Sequence, residues 1–349
     1  MSNYDQFAAA VKEISGGKNV VLLDDLGLPS VYVPINKLKN SEIISGGSEN
    51  THPAFSVNGV EKSRFLYSKY QNIVINGRAY SLSHRDPKTY VNFDQARQAC
   101  EAKGAGFHLG TLAEWAAVAL LTRKMGTMPH GNNNYGGDSA YTYEKGQESA
   151  KDNNKTGRTF TGSGPATWGH DHTQFGIQDM NGNVWEWLGG MRLNEGEIQI
   201  IPYNNAALGS ECDMSASSTL WKAIKNDGSL VAPGTAATLK YDFVSNNIQL
   251  TTGITSAQDA GRGGSYTAMT LASGVTAPEL AKALILYPDE PGKDYGGDYH
   301  WMNNAGERLP LAGGGWGSGA GAGVFDLNLN DARSGSYGNL GFRSAYVEL

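Results

Sequence analysis

The chain has 349 residues, a length that fits two domains or one elaborated domain, and its net charge is −6 at pH 7. Only 18% of the residues are charged and no run of five basic residues occurs, so nucleic-acid binding has no electrostatic support. No apolar run is long enough to span a bilayer, and the N-terminus lacks the charged start and apolar core of a secretory signal. We therefore expect synthesis in the cytoplasm without a signal peptide and without membrane insertion.

Residues 1–48 are predicted to form a small N-terminal extension or attachment element. Phe7, Val11 and Ile14 have helical spacing, and the apolar run at 20–23 indicates a strand. The polar stretch SGGSENT at 45–51 places a boundary near residue 48. Because no heptad pattern or repeat accompanies it, an extension packed on the main domain is favoured over an oligomerisation element.

The next segment predicts strands followed by two helices. Residues 65–70 and 72–80 are strand-like runs. A helix with an apolar stripe follows and ends at Gly104. Thr111 is the predicted N-cap of a second helix, and Glu114 completes a capping box.

The stretch FGIQDMNGNVWEWLGG at 175–190 combines a turn with a strand. Asn181 and Gly182 favour a tight turn, and Trp185 and Trp187 then alternate with Glu186. Together with the order strand, helix, GFHLGTLAEW, helix, this stretch resembles the formylglycine-generating-enzyme-like (sulfatase-modifying-factor-like) branch of the C-type lectin fold. The resemblance implies an α+β fold over residues 49–349.

The same resemblance raises two chemical expectations. Asn183 and Glu186 resemble calcium ligands of some relatives, although a buried, hydrogen-bonded Glu186 is the favoured alternative. Relatives that oxidise cysteine in sulfatases imply two redox-active cysteines in the C-terminal third, yet no cysteine follows Cys212 and the only other one is Cys100. We therefore expect no enzyme and no cofactor, with calcium as the alternative.

A long insertion is predicted at about 194–299. Its segments are rich in Ser, Thr, Asn and Gly. Within it, Pro278 precedes apolar residues at helical spacing, namely Leu280, Ala283, Leu284 and Tyr287. A short helix is therefore expected there.

The C-terminal segment separates large apolar residues from small or polar ones. In FDLNLN at 325–330 the two kinds alternate, which is typical of a half-buried strand. Lys, Glu, Gln, Met and Trp make up 58 of the 349 residues, so about five are expected among residues 312–343, but only Trp316 occurs. These five types are the ones that no codon ending in cytosine can encode, although crowding by Gly and Ser would explain the same deficit.

The pattern LPL-x-GG-x-W-x-x-G-x-x-AGVF-x-LNLN-x-ARS-x-S-x-x-x-x-GFR resembles the variable region of diversity-generating-retroelement target proteins. In that family, unfaithful copying of template adenines turns AAC codons into any NNC codon. The resemblance implies a variable, ligand-binding region at about 311–343. Its variable positions would be Gly315, Gly317, Ser318, Gly321, Asp326, Asp331, Gly335, Tyr337 and Asn339, with Ala312, Ala320 and Gly338 as less certain members.

The sequence thus predicts a non-catalytic receptor-binding or adhesin-like display protein. Its partners would be a protein or glycan on a cell surface, and Tyr337, Asp326 and Asp331 would be the best anchors. The opening of the insertion and the stretch GDYHWMNNAGERLPL resemble phage or prophage tail-associated members of the group, which implies virion association. A calcium-dependent carbohydrate-binding module and a structural tail or baseplate protein remain the alternatives, and a homo-oligomer remains open.

Overall fold

The computed structural model describes residues 3–349, and it shows the predicted mixture of helices and strands. The α-helices are α1 (Asn3–Ile14), α2 (Asn40–Ile43), α3 (Phe93–Glu101), α4 (Leu112–Met125) and α5 (Glu279–Ala283). Short 3-10 turns lie at Pro53–Phe55, Ala166–Trp168, Asn205–Glu211, Tyr266–Ala268 and Gly319–Gly321.

The strands are short and are spread over the whole chain. In chain order they are β1 (Val20–Leu23), β2 (Pro29–Asn36), β3 (Ser56–Val57), β4 (Val60–Glu61), β5 (Arg64–Ser68), β6 (Ile73–Ile75), β7 (Arg78–Tyr80), β8 (Phe107–Leu109), β9 (Lys151–Asp152), β10 (Lys155–Thr156), β11 (Trp185–Trp187), β12 (Met191–Asn194), β13 (Glu197–Ile200), β14 (Lys222–Ile224), β15 (Leu230–Val231), β16 (Lys240–Val244), β17 (Asn247–Thr251), β18 (Arg262–Ser265), β19 (Thr270–Leu271), β20 (Tyr299–Met302), β21 (Glu307–Arg308), β22 (Leu311–Ala312), β23 (Leu327–Leu329), β24 (Leu340–Phe342) and β25 (Ser344–Tyr346).

The helix predicted after Gly110 begins and ends as its sequence indicates. Thr111 Oγ1 accepts a hydrogen bond from the Glu114 backbone N–H at 3.2 Å, and Glu114 Oε2 accepts one from the Thr111 N–H at 3.0 Å. This is the predicted capping box, which satisfies two N–H groups that the first turn would leave unpaired. Gly126 ends α4 in the left-handed conformation, with φ of 70°, where a side chain would be strained.

The first sheet, here called the terminal sheet, has the order β1-β2-β5-β25-β8. β2, from the predicted N-terminal extension, pairs with β5 along five residues, from Tyr32 opposite Ser68 to Asn36 opposite Arg64. β25, three residues before the C-terminus, pairs with both β5 and β8. Backbone pairing therefore joins β2 to the rest of the terminal sheet. The apolar Phe7 and Ile14 of α1, however, stay exposed.

The second sheet, here called the central sheet, has the order β18-β20-β23-β22-β11-β24. It places the Trp185–Trp187 strand between two strands of the C-terminal segment, antiparallel to β22 and parallel to β24. β23 lies between β22 and β20. The two segments that carried the family resemblance thus form one sheet.

The predicted insertion builds most of a third sheet and also reaches the central one. β12 to β17, β19 and β21 form the insertion sheet. β18 and β20 instead leave it and add two strands to the central sheet beside β23. The helix expected after Pro278 is α5, at Glu279–Ala283. The insertion therefore contributes directly to the surface next to the predicted variable region.

One strand prediction was wrong in its extent. The run 72–80 is a hairpin, in which β6 and β7 pair from Ile73 opposite Tyr80 to Ile75 opposite Arg78. Asn76 and Gly77 have φ values of 50° and 76°, as a two-residue hairpin turn of this kind requires. The Asn76-Gly77 pair is the sequence feature that indicates such a turn.

Candidate ligand-binding surface

The predicted variable positions divide by burial. Most are exposed or half-buried: Gly317, Ser318, Ala320, Gly321, Asp331, Gly335, Tyr337, Gly338 and Asn339. Ala312, Gly315 and Asp326 are buried. Tyr337 is the most open large side chain of the segment, at 56% exposed.

Ala312 does not belong to the surface. It lies on β22 between Glu186 of β11 and Leu327 of β23, and its side chain is 0% exposed within the largest apolar cluster. A larger side chain there would have to displace packed core atoms, which costs about 1–3 kcal/mol. The sequence-based assignment of Ala312 as a ligand-contacting position is therefore corrected to a core position.

The exposed and half-buried positions fall into two stretches, 317–321 and 331–339, and both approach Trp185. Gly315, the buried predicted position just before the first stretch, would place a Cβ 3.4 Å from Trp185 Cδ1. The Trp185 backbone N–H donates to the carbonyl of Asn339, in the second stretch, at 2.9 Å. The two stretches meet at one tryptophan because β11 lies between β22 and β24.

An open cleft of about 450 Å³, here called the aromatic cleft, adjoins Trp185. Its aromatic wall consists of Trp185, Tyr299 and Trp301, and the rings of the last two lie 4.7 Å apart. The remaining lining residues are Ser318, Gly321, Asp326, Asn328 and Asn330. Its size is within the usual range for ligand pockets, and it joins variable positions to fixed residues.

Asp326 lies at the buried side of this cleft. The residue is 1% exposed, and its Oδ1 atom has no hydrogen-bond partner. Burial raises its pKa well above the ordinary carboxyl value, and the nearby Asp298 carboxyl raises it further. Asp326 is therefore corrected from an exposed anchor to a buried group that lines the cleft.

The loop 313–323 is held in place by contacts outside the variable positions. The Trp115 indole N–H donates to the Val324 carbonyl at 2.7 Å. Trp316 donates its indole N–H to Asp152 Oδ2 at 3.1 Å, and its backbone N–H donates to the Asn183 carbonyl at 3.1 Å. These contacts are made by residues that the predicted diversification does not change. Within the loop, however, the hydroxyl of Ser318, a predicted variable position, accepts from the Gly315 backbone N–H at 2.9 Å.

The structure does not support calcium binding at Asn183 and Glu186. Both oxygens of Glu186 accept hydrogen bonds from Arg343, at 2.7 and 2.8 Å. Asn183 Oδ1 accepts from the Thr159 backbone N–H at 2.8 Å, and its amide donates to Gln71 Oε1 at 2.8 Å. Each side chain is buried, with its oxygens directed at protein donors. Within residues 3–349, no group of three His, Cys, Asp or Glu side chains is arranged to hold a metal ion.

The two cysteines lie apart from this cleft and from solvent. Cys100 is in α3 and Cys212 follows a 3-10 turn, and both are free and buried. Burial raises the pKa of the Cys100 thiol, and it raises that of Cys212 to about 11. Since the thiolate is the nucleophilic form, neither residue has the environment of a redox-active cysteine.

Sequence reasoning missed several residues of the cleft. None of five lining residues was predicted to belong to a site: Trp185, Tyr299, Trp301, Asn328 and Asn330. The stretch YHWM at 299–302 did contain a signal, because Tyr299 and Trp301 alternate with two buried residues in β20. Its position beside the variable region could not be read from the sequence, since β20 reaches β23 through parallel pairing.

The comparisons with known proteins agree with this fold. The family described as Sulfatase-modifying factor enzyme 1-like domain matches residues 34–269. No curated protein matches the sequence. Among solved structures, the chain is similar to PvdO from Pseudomonas aeruginosa, with 13% identity, a TM-score of 0.38, and coverage of 94% of this chain and 97% of that one.

Two further solved structures are variable or tropism proteins by name. Treponema denticola variable protein 1 is 13% identical with a TM-score of 0.34, and the match covers 94% of this chain and 98% of that one. The Major Tropism Determinant U1 Variant is 11% identical with a TM-score of 0.31, covering 90% and 62%. The family match, in contrast, extends over more than half of the chain and includes the strand at Trp185–Trp187. The chain therefore belongs to the family of sulfatase-modifying factor enzyme 1-like domains.

Proposed function

We propose that this chain is a non-catalytic ligand-binding display protein whose C-terminal region, residues 311–343, is diversified by a retroelement. The single observation that carries the proposal is the separation of roles within this region. Phe325, Leu327 and Leu329 are 0% exposed, whereas nine of the twelve predicted variable positions are exposed or half-buried. Replacement of exposed residues away from special features usually changes stability by less than about 0.5 kcal/mol.

The anchoring of the region supports the same proposal. β22, β23 and β24 are fixed in the central sheet, while the loops between them carry the changeable side chains. Binding residues are common on loops held by a rigid scaffold. Trp115 binds the Val324 carbonyl just after the 313–323 loop, and Trp316 of the loop binds Asp152; all four residues are outside the predicted variable set. A changed side chain would therefore be presented in a conserved geometry.

The burial of both cysteines favours a binding function over thiol-based catalysis. The aromatic cleft contains no cysteine, and both cysteines of the chain are buried elsewhere. The targets we propose are proteins or glycans on a cell surface, and the setting we propose is a phage or prophage particle. No helix in residues 3–349 has the length and hydropathy required to cross a bilayer.

The genetic part of the proposal has a direct test. Sequencing around the coding region should reveal a near-copy of the codons for 311–343 beside a reverse-transcriptase gene. The two copies should differ only where the template has adenine. A near-copy with differences spread over all four bases, or the absence of any near-copy, would contradict retroelement diversification.

The binding part is tested with a displayed library. NNC codons are placed at Gly317, Ser318, Ala320, Gly321 and Tyr337, and the library is selected on immobilised hen lysozyme as a model target. We expect folded binders, whose melting temperatures stay near that of the parent. A control library randomises the same number of positions, all exposed and all outside residues 311–343, at Lys37, Val60, Glu61, Ser63 and Arg64. Equal enrichment from both libraries, or loss of folding in most members of the first, would refute a dedicated binding surface.

A further inference from the structure

The aromatic cleft contains two buried acceptor atoms without donors. Oδ1 of Asp326 and Oδ1 of Asn330 both lack a hydrogen-bond partner. Buried polar atoms are nearly always paired, and an unpaired one carries its full desolvation cost. Both side chains line the same cleft, so a group bound in the cleft lies against both of them.

The protein itself supplies no cationic donor to the cleft. Its lining residues include no Lys, Arg or His. Neither the Asn328 amide nor the Ser318 hydroxyl, which also line the cleft, is hydrogen-bonded to these two oxygens. A ligand that pairs with them brings its own N–H or O–H donors.

The carboxyl groups next to the cleft select among such donors. Burial and the nearby Asp298 carboxyl raise the pKa of Asp326 well above the ordinary carboxyl value, and burial also raises that of Asp298. His300, buried on the adjacent strand, is kept neutral because burial lowers its pKa to about 3, so it supplies no positive charge to them. A bound cation stabilises the ionised form of such a carboxyl, whereas a neutral hydroxyl does not.

The aromatic wall favours the same class of ligand. Trp185, Tyr299 and Trp301 present ring surfaces around the cleft, and the face of an aromatic ring attracts cations within about 6 Å. An alkyl chain would pack on these rings while its charged end reaches the carboxylate, as a lysine side chain does when it binds at an apolar surface.

We propose that the aromatic cleft binds an alkylammonium group, whose N–H donors pair with Oδ1 of Asp326 and Oδ1 of Asn330 and whose alkyl chain contacts Trp185 and Trp301. This inference rests on the proposed binding function and names the chemistry that the parental surface recognises. The group can come from a lysine side chain of a target protein or from a free amine. Of these two residues, only Asp326 is at a predicted variable position. Diversification that replaces Asp326 would therefore change which ligands the cleft binds.

The test is a calorimetric and NMR titration of the full chain with n-butylammonium, n-butanol and methyl β-glucopyranoside. We expect saturable binding of butylammonium, accompanied by shifts of the tryptophan indole signals, and at least about tenfold weaker binding of butanol because the charge-assisted hydrogen bond is missing. Affinity should rise with pH as the Asp326 carboxyl ionises, and binding should release a proton. Nα-acetyl-lysine methylamide distinguishes the sources: tighter binding than butylammonium points to a lysine of a protein, and weaker binding points to a free amine.

Variants separate the cleft from the rest of the surface. Asp326→Asn should weaken butylammonium binding by about tenfold or more and remove its pH dependence. Asp227→Asn makes the same chemical change at an exposed carboxyl outside the cleft and outside residues 311–343, and it should leave binding unchanged. Trp301→Leu is a second variant, which should weaken binding through loss of the ring face while the Asp326 carboxyl stays in place.

Three results would overturn the proposal. These are the absence of saturable butylammonium binding, equal binding of butanol, and preferred binding of the glycoside that persists in Asp326→Asn. Each can occur while the displayed library still yields binders to lysozyme, because that experiment does not use the parental cleft chemistry. Failure of the library experiment alone would instead refute the display function and leave the alkylammonium site in place.

Discussion

Arg343 and Glu186 are 157 residues apart in sequence and form a bidentate ion pair in the interior. Arg343 Nε donates to Glu186 Oε2 at 2.7 Å, and Nη2 donates to Oε1 at 2.8 Å. Their side chains are 0% and 1% exposed. Arg343 also donates to the Lys69 carbonyl at 3.1 Å, so the pair joins the central sheet to the segment that follows β5. The end of the variable region is thereby fixed to the Trp185–Trp187 strand.

Replacement of Arg343 should destabilise the protein, because the buried Glu186 carboxylate then loses its charged partner. Arg343→Met should lower the free energy of unfolding by about 3–5 kcal/mol, because Glu186 then lies in the interior without a charged partner. Urea denaturation measures this change. The double variant Arg343→Met with Glu186→Leu should recover part of the loss.

The exposed pair of Lys37 and Glu61, with 3.0 Å between Nζ and Oε2, provides a matched control. Lys37→Met should cost less than about 1 kcal/mol, because both partners are well solvated. A similar loss for Arg343→Met and Lys37→Met would show that the buried pair has no special role in stability.

Two glycines of the variable region should respond differently to alanine. Gly314 has φ of 81°, and a Cβ there would lie 2.5 Å from the Ala322 Cβ, so Gly314→Ala should cost at least about 1–3 kcal/mol. A Cβ on Gly317 would lie 3.3 Å from the Tyr135 hydroxyl, which belongs to an exposed side chain that can move. Gly317→Ala should change stability by less than about 0.5 kcal/mol. Thermal denaturation of both variants checks the ordering, and equal losses would contradict the division between scaffold and surface.

Asp326→Asn should stabilise the protein at neutral pH. Burial and Asp298 raise the pKa of Asp326 in the folded chain above the value of about 3.9 found in unfolded chains. Between these two values the folded chain holds a proton that the unfolded chain has lost, so stability declines as pH rises through this interval. An amide does not titrate, and the advantage of the variant should therefore grow from near pH 4 upward.

Urea denaturation of Asp326→Asn and the parent over a series of pH values measures this difference. Asp213→Asn is a control for which the pH dependence should have the opposite sign. Hydrogen bonds from Ser215 lower the pKa of that exposed carboxyl, so its ionisation stabilises the folded chain and the amide variant loses this contribution as pH rises. A difference between Asp326→Asn and the parent that does not change with pH would contradict the raised pKa of Asp326.

The thiols should be unreactive in the folded protein. Burial raises the pKa of Cys100, and it raises that of Cys212 to about 11, so almost no thiolate exists at neutral pH. Ellman's reagent should label neither cysteine in buffer and both in concentrated urea. The same preparation should fail to convert a sulfatase-derived cysteine peptide to formylglycine. Rapid labelling of the native protein together with turnover of the peptide would restore the oxidase alternative.

Some parts of the candidate site could be predicted because their signals are local. The capping box of Thr111 and Glu114 depends on residues three positions apart, and the alternation in 325–330 depends on the two-residue period of a strand. The surface position of Tyr337 was implied by the family resemblance, and its exposure agrees with that expectation. Ala312 and Asp326 were assigned to the open surface from the same resemblance, which does not show which positions the neighbouring strands cover; the alternation in 325–330 likewise does not show whether the second face of the strand is buried.

The sequence by itself determined the family, the capped helix that begins after Thr111, the strand at Trp185–Trp187 and the alternation of large apolar with small or polar residues near the C-terminus. These features depend on periodicity, capping and turn chemistry, which act between residues close together in the chain. Only the tertiary structure decided that β20 of the insertion brings Tyr299 and Trp301 beside Asp326, and that Arg343 neutralises Glu186. Those contacts join residues that are far apart in sequence, and the free energy of burying them depends on which strands become neighbours.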